Sequence, residues 1–408
     1  MFDTAIALRP SPQPATPGNS NRRVAALNGL LARSWASGLL STPSLDPAEL
    51  VATAVRQTGL DDLGRDHWRP ALEQLCRSLE TEADLNPFGR TVAHGQIVGA
   101  LKTRLRAHAL WQRHPEILET PLSAPIVVLG QMRSGTTRLQ RLLACDPRLD
   151  HTRFFESSHP LPQRGRKLRA AVALQAMAAL NRDFAAIHPT GAGLPDEEIG
   201  LFAPGLISSQ FEVQWRVPGY ARWCEAADTR AAYAEFRALL QTLRWLRGRR
   251  DDRPWVLKVP QFTQDLPALL ASFPDARLLC VERDRAAVVG SAASLVHNQM
   301  QLQSDAADPH WIGREWLGKV VHREGVVART LAQRPCVPRH TVDYARMDDD
   351  WLAEMQRVYD FLGLPLTAPV AAAMTAYIER SAQGRRPHRY AIADFGLCPD
   401  TIADRRAA

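Results

Sequence analysis

Lysine is scarce in this chain. Only Lys102, Lys167, Lys258 and Lys319 occur among 408 residues, so the net charge of +7 rests almost wholly on arginine. A lysine inside a motif therefore carries information. Also missing is any Lys/Arg block interleaved with aromatics, which turns the basic balance away from nucleic acid and toward an enzyme that holds a multiply charged anion. The densest basic cluster, Arg164, Arg166, Lys167 and Arg169, reads as a solvated turn leading into a helix over Ala170 to Leu180. The six cysteines form no C-x-x-C pair, which excludes a disulfide framework or a zinc ribbon and reads as buried, reduced thiols. The histidines lack helix-face pairs or neighbouring cysteines, so no metal is expected. No apolar run approaches the ~20 residues that cross a bilayer, and no basic n-region precedes an apolar h-region. The expectation is a cytoplasmic protein with no stable membrane insertion and no nucleic-acid partner. A homo-oligomer is allowed.

What is present is organised in blocks. Residues 1–22 combine Pro, Ser, Asn and Gly and read as a disordered tail. Residues 23–120 read as a helical lobe: Asp46 and Pro47 open a helix through Val55, Pro70 opens another through Leu79, and Val92 to Trp111 carries apolar residues at three-to-four spacing. From residue 121 to 408 short β-rich runs alternate with helices. The predicted strands are Ile126 to Leu129, Trp255 to Val259, Ala276 to Val281 and His340 to Tyr344. The expected fold class is α/β, a P-loop-like three-layer α/β/α sandwich with a central parallel sheet, plus the N-terminal helical lobe. A helical insertion at about 147–250 is the natural place for substrate recognition. Its Phe211, Trp215, Tyr220 and Trp223 suggest an apolar or ring-bearing substrate, although aromatics at helical spacing also build cores.

The most informative segment is PIVVLGQMRSGTTRL, residues 125–139: a buried strand, a glycine-bounded polar turn and the start of a helix. A helix N-terminus leaves backbone N–H groups unpaired at the positive end of the macrodipole, so an anion docked there satisfies both. Gly130 and Gly135 let the backbone turn, and Ser134, Thr136 and Thr137 add hydroxyls. The glycine spacing matches the first half of G-x-x-x-x-G-K-[ST], yet Thr136 stands in the lysine's place and the cation, Arg133, lies inside the loop. That argues against ordinary ATP or GTP hydrolysis.

A second constellation follows in residues 255–295, where Arg283 closes a predicted strand and Ser291 comes eight residues later. Strand C-terminal ends face the ligand crevice of a parallel sheet, so Arg283 can address an anion the first loop does not hold. The pairing of this G-x-x-[RK]-S-G-[TS]-T loop with F-P-D-A-R…R-D…S resembles the sulfotransferases that use 3′-phosphoadenosine 5′-phosphosulfate (PAPS), in their bacterial branch with PRSGTT-type loops. Segments 196–241 and 388–397 add to the likeness. The resemblance implies sulfuryl transfer from PAPS, with the nucleotide bisphosphate PAP as product, to a hydroxyl or an amine of a small-molecule, lipid or sugar acceptor. It assigns Arg133, Ser134, Gly135, Thr136 and Thr137 to the 5′ end of the donor and Arg283 and Ser291 to the 3′-phosphate. Arg385 and Arg386 would fold back over the donor, or form an exposed basic turn.

Sulfuryl transfer shares with phosphoryl transfer a loose, in-line transition state with charge gathering on the leaving oxygen. Fixed cations aimed there supply much of the catalysis, and a base takes the acceptor proton. Arg133 and Lys258 are the natural cations. The Lys-x-His pattern of the cytosolic branch is broken, because Pro260 occupies the histidine position. By resemblance Glu156 is the first candidate base, against a structural pairing with an arginine. Glu197, Glu198 and His188 come next as base or substrate contacts, the two glutamates being equally suited to a helix N-terminus. A P-loop nucleotide kinase and a non-catalytic adenine-nucleotide-binding module are the competing readings.

Overall fold

A computed structural model describes residues 19–181, 189–248, 253–382 and 390–403. Five strands form one parallel sheet: β1 Ile126–Leu129, β2 Asp150–His151, β3 Trp255–Leu257, β4 Arg277–Glu282 and β5 Arg339–Asp343, in the order β2-β3-β1-β4-β5. Both faces are covered. Side chains alternate along a strand, so Ile126 and Val128 join a core with Leu139, Leu142, Val358 and Tyr359, while Val127 and Leu129 join one with Phe236, Leu240, Phe262 and Leu269. That is why IVVL is unbroken by polar residues, and it makes the α/β/α sandwich.

Strand β2 escaped the sequence reading. Two residues are too few to show a period. Its place at the sheet edge nonetheless puts a strand inside the stretch read as an insertion. The observed β3 stops at Leu257, before Lys258, because the chain turns into the short 3-10 helix Pro260–Thr263.

Ahead of the sheet come the helices Asn19–Ala36, Pro47–Thr58, Arg69–Thr81 and Pro87–Arg113. The first begins inside the stretch read as a tail; residues 1–18 lie outside the described residues. Asp46 caps the second, its side chain accepting from the Glu49 amide at 3.0 Å, with Pro47 in the first turn and Gly59 left-handed at the end. The last three of these helices pack around Trp68, Leu72, Leu75 and Leu101, and the same core takes in Phe211, Trp215 and Tyr220. Those three rings are fully buried and Trp223 packs partly buried against them, so these aromatics share a core with the N-terminal helices. Of the cysteines, Cys76 and Cys224 are buried, Cys145 and Cys280 half-buried, and Cys336 and Cys398 exposed, which corrects the reading of all six as buried. Among the described residues no helix is long and apolar enough to cross a membrane.

Candidate active site

In this strand order β1 lies between β3 and β4, where connections leave in opposite directions, and a crevice opens there beyond the strands' C-terminal ends. Four adjacent strands deliver a group to it. Gly130 follows β1, Lys258 follows β3, Arg283 follows β4 and Tyr344 follows β5.

The loop after β1 is held in an unusual backbone course. Arg133 has φ 73° and Gly135 φ 101°, and the Ser134 hydroxyl and amide both donate to the carbonyl of Gln131, at 2.8 and 3.1 Å. A Cβ on Gly135 would lie 2.3 Å from the Tyr344 ring, so glycine is required both by the positive φ and by that ring. The helix Thr136–Leu143 starts immediately afterwards with no side-chain cap, and the first amides of a helix have no partner within it.

Arg133 and Arg283 meet in one cluster. Arg133 Nε donates to Ser291 Oγ at 2.9 Å, and Arg283 Nη1 donates to the Arg133 carbonyl at 2.7 Å while its guanidinium lies 4.2 Å from the Tyr344 ring centroid. Burial, and after it the neighbouring Arg283 charge, lower the Arg133 pKa from its usual value. Two like charges held this close fit a site for a phosphate or sulfate. Ser291 sits in the helix Arg285–Gln303 beside Gly290, where a Cβ would meet the Tyr390 ring at 2.7 Å, and Tyr390 Oη donates to the Ala287 carbonyl at 3.2 Å. The chain thus returns near its C-terminus to the same helix. Arg385, Arg386 and His188 lie outside the described residues.

Lys258 forms the second cluster. Its buried ammonium donates to Thr137 Oγ1 at 3.1 Å and is ion-paired with Glu197, whose side chain keeps 17% exposure. Its backbone amide donates to Glu198 Oε2 at 2.8 Å. Adjacent acids therefore hold one lysine at both ends. Glu198 is fully buried, and desolvation pushes its carboxyl up to about 8 despite the Lys258 amide and Thr152 beside it. The segment carrying this pair is fastened down: Gln140 of the loop helix donates to the Asp196 carbonyl at 3.1 Å, the Asp196 amide donates to the Thr152 carbonyl at 3.0 Å, and Asp196 Oδ1 accepts from the Glu197 amide at 2.8 Å.

Glu156 takes part in neither cluster. Arg247 donates to its Oε1 at 3.1 Å and its Oε2 at 2.6 Å, and Oε2 also accepts from the Arg153 amide at 2.9 Å. The same guanidinium reaches Asp150 Oδ1 at 3.2 Å and lies 4.6 Å from the Trp255 ring. Glu156 is 2% exposed and closes the N-terminus of the helix Phe154–Ser158. Its contacts are those of a structural clamp at the β2 edge, the pairing weighed against it in the sequence. Among the described residues no group of three or more His, Cys, Asp or Glu is placed to hold a metal ion.

Residues 125–368 match the model of the sulfotransferase family. The chain belongs to that family. In fold and sequence this sulfotransferase is similar to sulfotransferase STF1 from Mycobacterium tuberculosis, at 26% identity over 90% of this chain and 99% of that one, with a TM-score of 0.77. It is also similar to sulfotransferase STF9 from Mycobacterium avium, at 26% identity over 87% and 93% of the two chains, with a TM-score of 0.75. No curated protein matches it in sequence. The sulfotransferase thus carries, at the switch point of its sheet, the glycine-bounded loop after β1, two arginines joined in one cluster and a lysine with a carboxylate beside it. Tyr344 and Tyr390 were not singled out from the sequence. Tyr344 could have been, since it ends the predicted strand His340 to Tyr344 on the ligand side.

Proposed function

We propose that this sulfotransferase moves the sulfuryl group of PAPS to a hydroxyl, or an amine, of a small-molecule, lipid or sugar acceptor. The observation that carries the reading is the chain Thr137–Lys258–Glu197, a loop hydroxyl, an ammonium and a carboxylate in contact at the end of the sheet. In-line transfer needs donors on the 5′ side, a cation at the leaving oxygen and a base on the acceptor side.

In this reading the amides and hydroxyls of Ser134, Gly135, Thr136 and Thr137 take the 5′ end. Arg283 and Ser291 take the 3′-phosphate. Arg133, bonded to Ser291 in the structure, bridges the two ends, a wider role than the 5′ one implied by the family resemblance. Lys258 is the cation for the leaving oxygen, and Arg385 and Arg386 remain candidates for covering the donor. Glu197 replaces Glu156 as the proton acceptor: as Lys258 turns toward the developing charge, it releases the Glu197 carboxylate to take the acceptor's proton. Glu198 stays neutral and holds the Lys258 main chain.

Incubation with radiolabelled PAPS and a panel of phenols, sterols and sugars tests the proposal. Label on an acceptor with release of PAP is the expected result. Tight PAP binding with no transfer to any acceptor would favour a binding module, and label transfer from ATP in place of PAPS would favour a kinase.

A further inference from the structure

Beyond its first turn the helix Arg166–Leu180, RKLRAAVALQAMAAL, is apolar except for the exposed Gln175, and yet it buries only Ala170. A helix hydrophobic on all sides is ordinarily enclosed. Here Leu168 is 69% and Val172 60% exposed, and Ala176 and Ala179 continue the same exposed stripe at helical spacing. Lys167 and Arg169, both exposed, fall on either side of Leu168 at 100° per residue, and exposed Arg164 precedes the helix.

We infer that this face docks on an anionic lipid surface. The apolar stripe would enter the headgroup boundary, and the cationic side chains beside it would meet lipid phosphates while their stems lie along the apolar layer. A second copy fits less well. The helix carries no acidic residue, so in a two-fold contact its cationic turn would find no complementary charge on its counterpart. The face also adjoins the candidate site: a Cβ on Gly193 would lie 3.2 Å from the Lys167 side chain, Leu194 beside it is exposed, and Glu197 follows three residues on.

Co-sedimentation of the full chain with phosphatidylcholine vesicles, with and without phosphatidylglycerol, tests the inference. Binding to the anionic vesicles, weakened by salt, is expected. Two paired variants, Lys167→Glu with Arg169→Glu and Leu168→Asp with Val172→Asp, should each lower the partition coefficient on the order of tenfold or more, with a thermal unfolding midpoint near that of the parent showing that the fold is kept. No binding to anionic vesicles overturns the inference, as does binding that survives loss of Leu168 and Val172. A dimer in solution that Leu168→Asp with Val172→Asp converts to a monomer, without vesicle binding by the parent, assigns the face to a second copy. Vesicle binding seen only after residues 1–18 are removed assigns it to that segment. Either result would also overturn it.

Discussion

The carboxylate of Glu197 sits on the ammonium of Lys258, 61 residues further along the chain, and each is the other's ion-pair partner at the mouth of the crevice. The pair brings an ammonium and a carboxylate to one point, beside the first turn of the helix Thr136–Leu143. Lys258→Met should therefore lower kcat on the order of a hundredfold to a thousandfold, the usual cost of losing one fixed donor to developing charge. Steady-state rates at saturating PAPS measure it, and an unchanged kcat would remove Lys258 from the chemistry.

Under the proposed function Arg283 and Ser291 take the 3′-phosphate. Arg283→Ala should weaken PAP binding roughly tenfold to a hundredfold, the range of a charge-assisted hydrogen bond, and Ser291→Ala should weaken it less. Adenosine 5′-phosphosulfate, which lacks the 3′-phosphate, is the control. Calorimetry should show its binding little changed by either substitution; an equal loss for both nucleotides would move these residues to another part of the donor.

Glu198 makes stability depend on pH with a sign opposite to that of a salt-bridged carboxylate. Its carboxyl is raised to about 8 in the folded chain, so between the ordinary carboxylate pKa and about 8 the folded state holds a proton that the unfolded state has released. Stability from this group is full at low pH and is lost as pH rises through that window. Glu198→Gln, which keeps the acceptor for the Lys258 amide and cannot ionise, should flatten the decline, by a few kcal/mol at most. Denaturant melts from about pH 5 to pH 9 check it, and identical slopes for the two proteins would contradict the assignment.

Gly135→Ala combines a strained φ with a clash against Tyr344, the ring on which Arg283 rests. The strain should cost about 1–3 kcal/mol of stability. Displacement of Tyr344 should also weaken PAP binding. A variant that lost stability and kept full PAP affinity would separate the ring from the donor site.

The parts legible in the sequence were those written locally. Strand, glycines, hydroxyls and helix lie within residues 125–139, so period and turn chemistry reveal the loop without any tertiary contact. The three-layer fold followed from strands that are apolar on both faces. What stayed hidden depends on distant segments meeting. Glu156 and Glu197 look alike in one dimension, and only the arrival of Arg247 at one and Lys258 at the other tells them apart. Arg133 belongs to the first loop by sequence, and its bond to Ser291 spans 158 positions. The aromatics of residues 211–223 gave a helical period, which is the same for a pocket wall and for a core; the N-terminal helices decided for core.

The most direct test of the account compares Glu197→Gln with Glu156→Gln, with transfer of label from saturating PAPS to a productive acceptor measured side by side. Breaking the buried Glu156–Arg247 pair should cost on the order of 3 kcal/mol of stability and leave the turnover of the folded fraction near that of the parent. Glu197→Gln should keep the fold and lose at least about a hundredfold in kcat. The opposite pattern, full turnover without the Glu197 carboxylate and none without that of Glu156, would contradict the assignment of Lys258 and Glu197 as the chemical centre.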